Sequence, residues 1–154
     1  MSGKSKHCKL LMMGGLLGVV YWGQLLVSQP SYAQSDDCST AVSSGKQRIL
    51  QVRGVEAVRV ERDKHQYSDG PAQRPIAYSF LFSGRGVADV MDSPVFLRAI
   101  AQTITNSCAD AALVNFGVDR TDWGVSYGLI AKVEEFTCVE PGSKPSRWGE
   151  TVCP

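Results

Sequence analysis

The sequence predicts an α+β fold: a small antiparallel sheet of about five strands packed on one helix and stapled by disulfides. Three observations carry this. Ile76 to Ser83 alternates, with Ile76, Tyr78, Phe80 and Phe82 on one side and Ala77, Ser79, Leu81 and Ser83 on the other. Phe96, Ala99, Ile100, Thr103, Ile104 and Cys108 recur at helical spacing. Four cysteines, Cys38, Cys108, Cys138 and Cys153, follow an export-type leader.

The leader comes first in the chain. Lys4, Lys6 and Lys9 precede Leu10 to Val27, which is apolar except for glycines and Gln24. Ser31 and Ala33 then supply small residues, so residues 1–33 read as a signal peptide cut between Ala33 and Gln34. The rival is a retained anchor. The 18 residues from Leu10 to Val27 are at the short edge of a span across about 30 Å of hydrocarbon. Pro30 and the Ser-Tyr-Ala end favour cleavage, and Cys8 would leave with the peptide.

The remaining 121 residues (154 less 33) are the size of one domain, 34–154. Loss of the three leader lysines takes 16 basic residues to 13 against 15 acidic ones, a net charge near −2. No basic face stands out, which argues against a nucleic-acid partner. Removal of the leader also leaves no membrane segment.

The elements follow in order. Residues 34–47 are polar and read as a flexible lead-in held by Cys38. Arg48 to Arg62 is rich in β-branched residues and reads as a strand, kinked at Gly54. Residues 63–75 form a loop around the Asp69-Gly70-Pro71 turn. Strand 76–83 ends at Gly84-Arg85-Gly86. After loop 84–92, Ser93 is placed to accept a first-turn amide and Pro94 to occupy the first helical position. Leu113 to Val118 and Trp123 to Leu129 are strands, the second with Trp123, Val125, Tyr127 and Leu129 toward the core. A turn near 130–132 and a strand over 133–139 precede an irregular tail, 140–154. The link from strand 76–83 through the helix to 113–118 admits a parallel crossover as the alternative topology.

Four cysteines allow three pairings. Cys138–Cys153 is favoured by closeness in sequence, leaving Cys38–Cys108. No cysteine pair at C-x-x-C spacing is present, so neither a zinc site nor another cofactor is expected.

Candidate chemistry is sparse. His65 is the one histidine after the leader, in a polar loop where solvation is the ordinary fate. No G-x-S-x-G elbow occurs, so no catalytic set is assigned. Arg85, between two glycines, is a conceivable anion contact, although the Gly cluster reads first as a strand terminator. Asp119 and Asp122 flank Arg120 and read as turn residues, with a weak ion or polar-ligand site as the alternative. Arg147 and Trp148 form a partner anchor if exposed, or cover a thin core if buried.

A set of motifs carries a resemblance. Ser93 to Leu97 (SPVFL), Cys108, Asn115 to Trp123 (NFGVDRTDW) and Tyr127 to Leu129 come first. Phe136 to Cys138, Pro141-Gly142, Arg147 to Gly149 and Cys153 complete it. Together they resemble a family of small exported cyanobacterial proteins without an assigned activity. The resemblance covers about half of the mature chain. It implies export and cysteines at these three places, and it transfers no catalytic residue. The expectation is an exported, non-enzymatic module that binds a protein or envelope partner. A small secreted enzyme inhibitor or hydrolase is the alternative. The periplasm, the thylakoid lumen and the medium all suit it.

Overall fold

The computed structural model describes residues 36–141 and 147–153. The expected leader with Cys8, and the expected cleavage junction Ala33–Gln34, lie outside the described residues. The order is α1 (Asp36–Leu50), β1 (Val55–Lys64), β2 (Ile76–Gly84), α2 (Val87–Met91), α3 (Pro94–Ser107), β3 (Ala111–Val118), β4 (Gly124–Leu129), β5 (Val133–Glu135), β6 (Thr137–Val139) and β7 (Glu150–Val152). Strands β1 to β5 form one sheet in sequence order, and β6 pairs with β7. This is the expected α+β class with both expected disulfides, Cys38–Cys108 and Cys138–Cys153.

Helix α1 replaces the expected flexible lead-in. Its Ser, Thr and Gly are weak helix formers, which hid it. Two other features make it. Asp36 and Asp37 occupy the first turn, at the positive end of the helix dipole. Cys38, Ala41, Gly45 and Ile49 recur every three or four residues and are buried. Gly45 marks the close approach to α3, since a Cβ there would stand 2.9 Å from Ile100 Cγ2. The helix consumes Arg48 to Leu50, so the first strand starts later than expected. Gly54, at φ 85°, turns the chain into β1.

The sheet is mixed, not wholly antiparallel. β1–β2, β3–β4 and β4–β5 are antiparallel, while β2 and β3 are parallel. The cause is the helical crossover through α2 and α3, which returns the chain to the end where β2 began. The short α2 also replaces part of the expected loop 84–92. It alters Ser93, whose hydroxyl donates back to Asp89 O at 2.7 Å and caps no amide of α3. Pro94 opens α3 as expected.

The dry face of α3 is Leu97, Ile100, Ala101, Ile104 and Thr105, continuing to Cys108. It is turned by about one residue from the expected stripe. Thr103 is exposed, and Phe96 is half-buried beneath the Arg48 guanidinium, 5.2 Å from its ring centre. Thr105 is the buried polar residue of this face, and its hydroxyl donates to Ala101 O. These side chains meet Ile76, Tyr78, Phe80 and Phe82 of β2, all buried as the alternation predicts. Phe116 stacks on Phe80 with centroids 5.5 Å apart and meets Tyr127 edge-on at 5.9 Å. Trp123 departs from expectation: it precedes β4 and is 39% exposed, whereas Tyr127 is buried.

Tyr127 ties this core to the sheet edge. Its hydroxyl donates to Glu135 Oε2 at 2.9 Å. Burial raises its pKa above the usual phenol value, and the hydrogen bond and charge of Glu135 raise it further. The folded phenol therefore holds its proton to higher pH than the unfolded one. Its contribution is intact below pH about 10 and is lost as pH rises through the folded value. Urea unfolding from about pH 8 to 11 should show stability falling beyond about pH 10, and Tyr127→Phe should flatten that fall. An unchanged slope in the variant would refute the assignment.

Candidate binding site on the sheet face opposite the helices

The described helices pack on one side of the sheet, against the cluster that contains Phe80 and Phe116. Alternation puts Ala77, Ser79 and Leu81 on the opposite side. Register then aligns a row across four strands: Glu61, Ser79, Asn115 and Ser126. The middle of this row is a directed hydrogen-bond chain. Ser126 Oγ donates to Asn115 Oδ1 at 2.9 Å, and Asn115 Nδ2 donates to Ser79 Oγ at 3.1 Å. All three residues are half-buried.

The neighbouring row, Asp63, Ala77, Leu113 and Gly128, lies under an aromatic wall. Ala77, Leu113 and Phe136 are buried together with Tyr67 and Trp148 packed against them. Gly128 makes room for the Phe136 ring, which any Cβ at 128 would overlap. Trp148 meets Phe136 edge-on at 5.1 Å and Tyr67 at 5.5 Å. His65 joins the group with its ring centre 5.0 Å from that of Trp148. The expectation of a solvated loop histidine is therefore wrong. Both ring nitrogens are buried and neither has a hydrogen-bond partner among the described residues. Gly70 closes over them, since a Cβ there would stand 2.6 Å from His65 Cε1 and 2.8 Å from Trp148 Cε3.

The two segments that build the wall are fastened. Tyr67 Oη donates to Glu150 O at 2.7 Å. The Trp148 amide donates to the Asp69 carboxylate at 3.0 and 3.1 Å, and Trp148 Nε1 donates to Leu129 O at 3.1 Å. Arg74 anchors the other end of the loop by donating to Thr105 O and Ala111 O. Burial raises the Tyr67 pKa, against a lowering hydrogen bond with Thr151, and the charges of Asp69 and Glu150 add to the rise. Asp69→Ala removes the acceptor of the Trp148 amide. It should cost about 1 kcal/mol and red-shift Trp148 emission in a Trp22→Phe/Trp123→Phe background. Unchanged emission would contradict this latch.

The described part of the expected irregular tail, 147–153, carries a strand and backbone hydrogen bonds. Thr137 N donates to Gly149 O at 2.8 Å, and β6 runs parallel to β7 beside the Cys138–Cys153 bridge.

Between the polar row and the wall is a cavity of about 470 Å³, floored by Ser79, Asn115, Ala77 and Leu113. His65 and Tyr67 close one end, and Asp63, Lys64 and Gln66 form an exposed rim.

The residues singled out from sequence lie in different places. Arg147 is exposed and Trp148 half-buried in the wall, which is the core-covering alternative. Arg85 is exposed in the turn after β2, but the Gly86 amide is spent on Gly54 O at 3.0 Å, and a Cβ at 86 would overlap Arg53 O. That favours the terminator reading. Asp119 pairs with Arg59 at 2.9 Å, and its amide donates to Phe82 O. Asp122 is exposed. Arg120, at φ 63°, and Thr121, whose hydroxyl donates to Val118 O and accepts from the Trp123 amide, complete a turn. Among the described residues no three metal-ligating side chains gather. No helix among them is long and apolar enough to cross a membrane.

Ser79, Asn115 and Ser126 escaped the sequence reading. Each is an ordinary small polar residue on an outward strand position, and only register brings them into line. Comparison with family models, with curated proteins and with solved structures gives no match for this chain.

Proposed function

We propose that the protein is an exported, non-enzymatic binding module of the cell envelope that uses the sheet face opposite the described helices as its contact surface. The observation that carries this reading is the half-buried Ser79–Asn115–Ser126 row beside a formed cavity. A sheet face on which no described helix packs, with polar groups ordered on it, is a prepared surface. Two disulfides are in keeping with an oxidising compartment outside the cytoplasm, and the motif resemblance implies export from a cyanobacterial cell.

The hydrolase alternative draws less support. His65 lines the cavity, but neither ring nitrogen meets a hydroxyl or a carboxylate, so no nucleophile–base pair is formed. The inhibitor alternative needs a projecting loop, whereas 65–75 is fastened by Tyr67, Asp69 and Arg74.

Co-sedimentation of the purified chain with isolated envelope fragments tests the proposal. The wild type should pellet, and Ser79→Arg, which plants a bulky charge in the row, should remain in the supernatant. Equal behaviour of the two, or no pelleting by either, would refute it.

A further inference from the structure

The chemistry of the cavity narrows what it holds. Asn115 offers two donors and two acceptor sites through its amide. The chain from Ser126 to Ser79 uses one of each. A second N–H and a second Oδ1 lone pair remain, together with the Ser79 hydroxyl hydrogen. These are donors and an acceptor within one residue's reach. A ligand hydroxyl, itself both donor and acceptor, matches them. A phosphate or an ammonium group uses only one kind.

Charge points the same way. The rim carries one acid, Asp63, and one base, Lys64, and the floor carries neither. No net charge selects an ionic ligand, and Gln66 adds a neutral amide with both functions. The apolar share of the lining comes from Leu113, Ala77 and the Tyr67 ring, against which C–H groups pack. About 470 Å³ is within the range of small-molecule sites.

We infer that this cavity is a subsite for one ring of a neutral saccharide, with Asn115 and Ser79 reading its hydroxyls and Tyr67 lining its apolar side. The inference rests on the reading of this face as the binding surface and names the ligand class.

The test is saturation-transfer NMR and titration of the oxidised chain with three neutral probes: cellotetraose, maltotetraose and N-acetylchitotetraose. At least one should receive saturation at its ring protons and titrate with a dissociation constant in the millimolar range or tighter. Asn115→Ala should weaken that binding by about ten-fold or more. Gln66→Ala, at an exposed rim position that leaves the core untouched, should weaken it by a smaller factor. Three outcomes would overturn the inference. One is no transfer to any probe at about 10 mM, a concentration that reveals even weak sites. Another is binding indifferent to both variants. The third is displacement of the saccharide by an extended peptide with equal affinity. Envelope pelleting that persists without any saccharide response would sink this inference and leave the proposed function standing.

Discussion

Replacing Cys38 and Cys108 together with alanine is expected to remove about 4 kcal/mol of stability, equivalent to roughly 15 °C in melting temperature. The bridge spans 70 residues of sequence, so it closes a long loop in the unfolded chain. It is also buried, with both cysteines at 2% exposure or less, and it joins the first turn of α1 to the residue that ends α3. Helix α1 carries weak helix formers and depends on that tether and on packing over Ile100 and Ile104. Amide exchange in α1 should therefore accelerate more than in β2 or β3. The Cys138–Cys153 pair closes a 15-residue separation and should contribute about 3 kcal/mol. Its loss should be felt mainly in β6 and β7. Chemical unfolding under non-reducing conditions is the measurement. A loss below about 1 kcal/mol for the first pair would contradict this account.

The second large effect is expected at Gly128. Alanine is a better strand residue than glycine by propensity alone, so a neutral site would gain from the change. Here the new methyl would occupy the space of the Phe136 ring. Phe136 is buried at 4% exposure and is the residue on which Tyr67 and Trp148 converge, at 5.6 and 5.1 Å. Gly128→Ala should cost about 2–3 kcal/mol and expose Trp148 to water. The double variant Gly128→Ala/Phe136→Ala should be less destabilised than the sum of the single changes. The shortfall measures the steric conflict directly. Strict additivity would mean that the ring does not depend on the glycine.

These two sites differ in how visible they are in the sequence. The cysteine pairing is legible, because an even count over residues 34–154 with one pair near in sequence leaves a single remainder. The core side of β2 is equally legible from Ile76, Tyr78, Phe80 and Phe82. Helix α1 is not. Its propensity is poor, and its pattern of Cys38, Ala41, Gly45 and Ile49 uses small residues that a hydrophobic reading passes over. The parallel pairing of β2 with β3 is undetermined for a related reason. Strand order depends on how the crossover packs, and no local residue encodes it. The wall is hidden more deeply. His65, Tyr67 and Trp148 lie up to 83 residues apart, and their meeting depends on contacts such as Asp69 to the Trp148 amide. A turn-rich loop and a tail with Pro and Gly each read as exposed on their own. They meet each other over Ala77 and Leu113.

The bridge pattern bears on how the chain reaches its oxidised state. Of the four described cysteines, the first pairs with the second and the third with the fourth. The covalent loops 38–108 and 138–153 therefore follow one another and do not interleave. A polypeptide delivered amino end first into an oxidant presents each thiol's native partner before any later competitor. With Cys8 removed by the cleavage expected after Ala33, consecutive pairing yields the native bridges directly, with no wrong cystine to be attacked and exchanged. Refolding from the fully reduced chain, where all thiols are present together, lacks that ordering. It should gain from a thiol–disulfide shuffling reagent where vectorial synthesis does not.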